Sequence, residues 1–330
     1  MFFPKFFTRI LMIMLVSLTL QGCISVKLFD DQLQAVRVEP GKGFSSARIA
    51  IIDISGVITD TGSSSSLFFM DSSVAGLAKK LDYIAKDNRY KAVIVRLNTP
   101  GGGVTASDIM YHQIQKFSEK EGIPVYMSMQ SLAASGGYYI AMAGKEVYAT
   151  PTAVTGSIGV IATFPEADGL MGKVGFNMNA ITSGKNKDAG AFYKQMTPED
   201  RKLFQDVVNE MYEQFLDVIE KNRKNLSEEQ IRTLADGRIY TAKQAYESGL
   251  VDGIAYLDEV LDRVKKNEKL ESAEVLLIKQ GSVSPNETIY TESPTSTPNA
   301  TVNQFNLVNL EMNRWEAQGH AEVFNYLWVP

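Results

Sequence analysis

From Arg48 onward the chain alternates short apolar runs with amphipathic stretches. Ile49-Ala50-Ile51-Ile52-Asp53-Ile54, closed by Gly56, has the length and β-branching of a buried strand. Val74, Leu77, Ala78, Leu81 and Ile84 recur at helical spacing, which predicts an amphipathic helix over 72–87. Ala92 to Leu97 reads as the next strand, Asp108 to Phe117 as a helix and Val125 to Met129 as a strand. A helix near 136–143 and strands at 146–149 and near 176–181 continue the rhythm. Such alternation implies an α/β fold with parallel strands and helical crossovers. The clearest helix spans 197–222: Thr197 caps it, Pro198 takes its first position, and Glu199 and Asp200 lie at its positive end. Its stripe of Leu203, Phe204, Val207, Val208, Met211, Phe215, Leu216 and Ile219 demands burial, in the core or in a subunit interface.

Polar breaks set the boundaries. Residues 61–66 (Thr-Gly-Ser-Ser-Ser-Ser) read as a loop, and residues 23–47, ending in Gly41, Gly43, Ser45 and Ser46, as a tether. The globular domain runs over 48–280. Residues 281–303, rich in Ser, Thr, Asn and Pro, read as a linker. The tail 304–330 ends Val323-Phe324-Asn325-Tyr326-Leu327-Trp328-Val329-Pro330, too apolar for a solvated end, and is expected to dock on the body or on a neighbouring subunit.

The amino terminus has a different character. Lys5 and Arg9 precede the apolar run Ile10 to Leu20, whose 11 residues fall short of the roughly 20 that a spanning helix needs. The only Cys, Cys23, follows Leu20-Gln21-Gly22. This resembles the lipobox of bacterial lipoproteins, which implies removal of residues 1–22 and lipidation of Cys23. An ordinary secretory signal or an uncleaved anchor are the alternatives. Each reading places the domain on the extracytoplasmic side of a bacterial cell envelope, held at a membrane. Ile24 lacks the Asp that retains some lipoproteins in the inner membrane, and so points outward.

Charge and composition then narrow the chemistry. With 33 Lys+Arg against 38 Asp+Glu the net charge is −5, so nucleic acid is not an expected partner. Two His and one Cys argue against a zinc site, a Ser-His-Asp triad or a disulfide framework. Three Gly-rich or polar turns follow strand-like segments, where chemistry in open α/β folds gathers. The first, Asn98-Thr99-Pro100-Gly101-Gly102-Gly103, lets backbone N–H groups approach a phosphate or an oxyanion, and fits neither GxxxxGK[ST] nor GxGxxG. The second, Ser131 to Tyr139, places Ser135 at a strand-to-helix turn flanked by small residues, like a nucleophile elbow in logic though not in pattern. Neither His112 nor His320 has the company of a catalytic imidazole. A Lys serves as base where burial lowers its pKa, and Lys185 and Lys187 lie in the third turn, Thr182 to Asp188.

Together these segments resemble the signal peptide peptidase A (protease IV) family, the S49 serine peptidases, in their half-length form. The resemblance runs from Ile49 to about Leu261. It is carried by Ile52 to Ile58, Asn98 to Gly103, Ala133 to Tyr139, Thr155 to Val160, Ser183 to Asp188, and Gly237-Arg238 with Gly249 to Asp252. It implies a ClpP/crotonase-like fold and a Ser–Lys dyad of Ser135, the nucleophile, and Lys187, the general base. It further implies that Ser157 orients the Lys amine, that the N–H groups of Gly102 and Gly136 form the oxyanion hole, and that neither cofactor nor metal takes part. Asp188, beside the base, is expected to point away. In half-length members the dyad is assembled between neighbouring protomers of a ring, commonly an octamer, and the substrates are remnant signal peptides or other apolar peptides near the membrane. A crotonase-like acyl-thioester enzyme, or a non-catalytic tethered scaffold of the same fold, are the alternatives. An exported protein lacks coenzyme A, and a scaffold has no need to keep Ser135, Lys187, Ser157 and Gly102.

Overall fold

The apolar runs are strands covered on both faces. In the computed structural model, which describes residues 32–41, 47–65, 68–70, 72–280, 286–291 and 324–327, the first elements are β1 (Leu33–Glu39), β2 (Arg48–Ser55), β3 (Ser63–Ser65), β4 (Phe68–Met70), α1 (Ser73–Ala85), β5 (Tyr90–Thr99), β6 (Gly101–Gly103) and α2 (Val104–Glu121). Then come β7 (Val125–Ala134), α3 (Gly136–Ala141), β8 (Val147–Ala149), β9 (Val154–Gly156), β10 (Ile161–Ala162), α4 (Asp168–Lys173) and α5 (Pro198–Asn222). The last are α6 (Glu228–Leu234), β11 (Ile239–Thr241), α7 (Ala242–Glu247), β12 (Gly253–Ile254), α8 (Leu257–Asn267), β13 (Glu274–Gln280) and β14 (Phe324–Leu327).

The main sheet has the order β1-β13-β2-β5-β7-β8-β12, with β9 continuing beside the end of β7 and β11 beside β9. All its pairs are parallel except β1–β13 and β9–β11. One face of β2, β5 and β7 (Ala50, Ile52, Val93, Val95, Met127) packs on Leu81 and Ile84 of α1 and on Met110 and Ile114 of α2. The opposite face (Ile49, Ile51, Ala92, Ile94, Tyr126) packs on Leu257, Val260, Leu261 and Val264 of α8. Strands buried on both faces cannot alternate, which is why they read as continuous apolar runs.

One buried polar cluster interrupts the second face. Asp53 and Arg96 stand opposite each other in the β2–β5 register. Arg96 donates through Nε to Asp53 Oδ1 (2.5 Å) and through Nη2 to Asp53 Oδ2 (2.7 Å), both side chains being nearly inaccessible. Lys80 Nζ donates to the Asp53 carbonyl (2.9 Å), and burial holds the Lys80 ammonium below its ordinary range. The remaining Arg96 donors bond the carbonyls of Ile289 and Thr291, and Lys279 pairs with Glu287 (2.6 Å), both side chains buried. Residues 286–291 thus lie pinned on the domain.

Several expected features differ from the structure. Part of the segment read as a tether forms β1, whose partner β13 supplies a complete edge. Part of the 61–66 loop forms β3, paired with β4 in a short hairpin. No strand forms near 176–181: after α4 the backbone there is irregular, and Phe176, Met178 and Ile181 are exposed. Among the described residues no surface covers those apolar side chains. The Thr197 cap of α5 is present as a capping box with Asp200, as expected. Its stripe divides, with Phe215, Leu216 and Ile219 buried and Leu203 exposed at the amino-terminal end. The amino-terminal signal and Cys23 lie outside the described residues. Among those residues, no helix is long and apolar enough to cross a membrane.

Candidate active site

The site gathers where β5 and β7 end. Thr99 closes β5, its buried hydroxyl donating to the Gly56 carbonyl (2.6 Å) and accepting from the Gly101 N–H (3.0 Å). The chain then forms the strand β6. The Ile58 N–H donates to the Gly101 carbonyl (2.9 Å), and the Gly103 N–H donates to the Ile58 carbonyl (3.0 Å). This approach is so close that a Cβ on Gly102 would lie 2.0 Å from the Ile58 oxygen. Gly101 has φ 96°, a conformation that suits glycine. The Ser107 hydroxyl, one turn into α2, donates to the Gly103 carbonyl (2.9 Å) and holds β6 against the helix.

At the end of β7 the chain turns sharply into α3 through Ser135, with φ 54° and ψ −115°. A serine in such a conformation costs on the order of 1–3 kcal/mol, so its surroundings must impose it. They do so through the Ser135 N–H, which donates to the Gly156 carbonyl (2.7 Å), and through the Ser135 carbonyl, which accepts from the Tyr139 N–H (2.9 Å). The β7–β9 register sets Ala134 beside Gly156, so the next residues, Ser135 and Ser157, are neighbours across the two strands. Ser157 also has a positive φ, of 49°, and its N–H donates to the Arg238 carbonyl (2.7 Å). A Cβ on Gly136 would lie 2.4 Å from the Ser107 hydroxyl, which ties this turn to the β6 strand. Ser135 with Gly136, Gly102 and Ser157 therefore converge from three places in the chain.

Lys187 does not join them. It sits exposed in a turn, its N–H donating to the Gly184 carbonyl (3.1 Å), and Lys185 is exposed beside it. Among the described residues no hydrogen bond links either Lys to Ser135 or Ser157. Asp188 pairs with Lys194 (2.8 Å), which directs its carboxylate to that neighbour. Among the described residues no cluster of His, Cys, Asp and Glu is placed to hold a metal ion.

Residues that sequence reasoning missed close the cleft. β14 pairs antiparallel with β6 on one side and with β10 on the other. Tyr326, opposite Gly102, is buried: its ring stacks on Tyr139 (centroids 5.2 Å apart) and tilts against Phe215 (4.7 Å), and its hydroxyl donates to the Met211 carbonyl (2.8 Å). Tyr111 packs edge-on to Tyr139 (5.5 Å), whose hydroxyl donates to Asp108 (2.7 Å). Burial, and then the Asp108 carboxylate, push the Tyr139 phenol above its ordinary range; burial does the same to Tyr326. The only sequence signal of this pocket was the apolar character of the tail.

The β6 geometry gives a direct test. In Gly102→Ala the new methyl would collide with the Ile58 backbone, so β6 must shift away from Ile58. Since losing one preorganised backbone donor costs about 10²–10³ in rate, any reaction that uses the Gly102 N–H is expected to fall at least that far with the far-ultraviolet dichroism unchanged. Wild-type turnover in the folded variant would remove Gly102 from the site.

Comparison with known proteins follows the same parts of the chain. The model of peptidase family S49 matches residues 118–271, and that of the Clp proteases matches residues 67–155. A protein assigned as the signal peptide peptidase SppA of Enterococcus faecium is 36% identical over 258 residues, covering 78% of this chain and 74% of that protein. The chloroplastic serine protease SPPA of Arabidopsis thaliana is 34% identical, over 59% of this chain and 28% of its own length. Protease 4 of Haemophilus influenzae is 31% identical, over 68% of this chain and 36% of its own length. The parallel sheet with its helical crossovers agrees with the Clp-type match.

Proposed function

The chain belongs to the SppA proteases of peptidase family S49, and on that premise we propose that it is a serine endopeptidase in which Ser135 attacks and Lys187 of an adjoining protomer is the base. The observation that carries this reading is Ser135 itself. It is a serine held at positive φ on a strand-to-helix turn, beside Gly101 and Gly102, where a side chain would collide with backbone. In the reaction, neutral Lys187 takes the Ser135 proton as Oγ attacks the peptide carbonyl, and later protonates the leaving amine. The developing oxyanion is met by the N–H groups of Gly102 and Gly136, and Ser157, next to Ser135, steadies the amine. Because the base acts uncharged, hydrolysis rises toward alkaline pH.

Two features support assembly between protomers. Lys187 is exposed and unattached to Ser135 within the chain, and Leu170, Val174, Phe176, Met178 and Ile181 of the same segment are also exposed. A ring would cover that surface and the open end of the α5 stripe while delivering the Lys. The amino-terminal lipobox and the aromatic cleft favour membrane-anchored action, in a bacterial envelope, on remnant signal peptides or similar apolar peptides.

The test is complementation. Ser135→Ala and Lys187→Ala are each expected to be inactive on an apolar fluorogenic peptide. Co-assembled in equal amounts, they should recover roughly a quarter of wild-type activity, the product of two even chances that a site receives both functional residues. A mixed assembly, verified by native mass spectrometry, that stays as dead as its parents would sink the shared dyad. A wild-type chain inert from pH 6 to 10 would sink the protease assignment of these residues.

A further inference from the structure

The direction of the Gly102 N–H is set by the peptide plane it shares with the Gly101 carbonyl. That carbonyl accepts from the Ile58 N–H (2.9 Å), so in a planar trans peptide the Gly102 N–H points away from Ile58. β6 also lies close against the Ser135 turn: a Cβ on Gly101 would come within 2.7 Å of the Gly136 nitrogen. The two donors assigned to the oxyanion therefore keep their spacing only while β6 keeps its place. Being three glycines, β6 has no side chain with which to hold itself.

Two fully buried hydroxyls hold it, that of Ser107 at Gly103 and that of Thr99 at Gly101. The Thr99 hydroxyl reaches further. It accepts from the Gly101 N–H (3.0 Å) and donates to the Gly56 carbonyl (2.6 Å), two residues before Ile58. One side chain thus ties β6 to the segment whose backbone aims the Gly102 N–H. Its methyl meets the Ser135 turn as well, since a Cβ on Gly137 would lie 2.7 Å from Thr99 Cγ2. Thr99 and Gly101 are buried, so removing the hydroxyl breaks both bonds where water does not reach.

We propose that Thr99 is a positioning residue for the oxyanion hole, its hydroxyl holding the Gly101–Gly102 peptide where the Gly102 N–H meets the developing charge. The proposal rests on the reading in which Ser135 attacks and Gly102 and Gly136 supply the donors. In this role Thr99 touches neither the substrate nor the proton in transit, and it acts through the backbone alone. The hydroxyl and the shape of the side chain separate cleanly. Thr99→Val keeps the volume and loses both bonds, whereas Thr99→Ser keeps both bonds and loses the methyl.

The experiment is steady-state kinetics of the full chain on an apolar fluorogenic peptide from pH 6 to 10, with two inhibitors. One is a peptide aldehyde, whose carbonyl oxygen becomes an oxyanion when Ser135 adds to it. The other is the same peptide with a methyleneamine in place of the scissile amide, which has no oxygen to place in the hole. Thr99→Val, folded by circular dichroism, is expected to lose roughly 10- to 100-fold in kcat, because it misplaces a donor whose outright removal costs about 10²–10³. KM should stay within about three-fold. The aldehyde should bind more weakly by the same factor as the loss in kcat/KM, while the methyleneamine peptide and the shape of the pH profile stay as in wild type. Thr99→Ser should remain within about three-fold of wild type throughout. Equal weakening of both inhibitors by Thr99→Val would show a general structural role and overturn the proposal. Wild-type kcat and aldehyde affinity in that variant would overturn it too, with the protease reading intact. Should Thr99→Val not fold, Thr99→Ser decides: turnover near wild type supports the hydroxyl's role, and a loss in kcat beyond about ten-fold rejects it. A wild-type chain that hydrolyses nothing and binds no aldehyde would sink the protease reading and the proposal together.

Discussion

Replacing Ser135 with alanine is expected to lower peptide hydrolysis by a factor on the order of 10⁶, with secondary structure unchanged. Loss of a serine nucleophile leaves only binding and oxyanion stabilisation behind, and the remaining members of a catalytic unit do not substitute for it. The effect should fall on kcat while KM stays within a few-fold, because a nucleophile's hydroxyl acts on the reacting carbonyl and adds little to ground-state binding. Local structure argues in the same direction. Alanine at φ 54° is no easier than serine, so the variant gains nothing in stability that could be mistaken for a structural role. Lys187→Ala should match Ser135→Ala in depth, whereas Lys185→Ala, two residues away in the same exposed turn, should stay within about three-fold of wild type. The measurement is steady-state kinetics on a quenched peptide. Normal activity in Lys187→Ala with loss in Lys185→Ala would shift the base by two positions, and a Ser135→Ala variant that retains activity would end the assignment.

The largest effect on stability is expected from Asp53→Ala. The substitution strips the carboxylate from the buried Arg96 guanidinium, leaving that charge without its counter-charge. Breaking a buried pair from one side costs about 3–5 kcal/mol, a large share of the stability of a domain of this size. Arg96 also bonds the carbonyls of Ile289 and Thr291, so residues 286–291 should loosen first. Urea denaturation should show a lower midpoint with little change in slope, and protease digestion should open near 286–291 at denaturant concentrations that leave wild type intact. The double variant Asp53→Ala with Arg96→Met should recover part of the loss, since an apolar replacement of both partners removes the stranded charge. An unfolding free energy for Asp53→Ala within about 1 kcal/mol of wild type would show the pair to be far better hydrated than its burial implies.

The two predictions differ in how readily the sequence announced them. Ser135 could be singled out because the chemistry of the turn is local: a strand, one residue, then glycines that let the backbone reverse and the helix begin. The Gly101–Gly103 strand was legible for the same reason, since consecutive glycines after an apolar run have few other uses. The Asp53–Arg96 clamp was not legible. Both residues sit inside apolar runs, and only the parallel register of β2 and β5 sets them opposite each other. The strand expected near 176–181 failed in the reverse way. Its apolar residues look like a strand, but pairing requires a neighbouring edge, and the described residues present none there.

What the amino-acid order determined by itself was every feature that depends on neighbours a few residues apart. These are the alternation of strands and helices, the caps of α5, the turn that carries Ser135 and the glycines beside it. What only the tertiary structure decided was which distant segments share a surface. It set Ser157 beside Ser135 through the β7–β9 register, left Lys187 exposed, and laid Tyr326 against Gly102 in an aromatic pocket drawn from α2, α3 and α5. Backbone dihedrals and helical periodicity are local quantities written in short stretches of sequence. The docking of a strand from the far end of the chain is a long-range pairing, selected by the burial and hydrogen bonds it completes and by nothing within the strand alone.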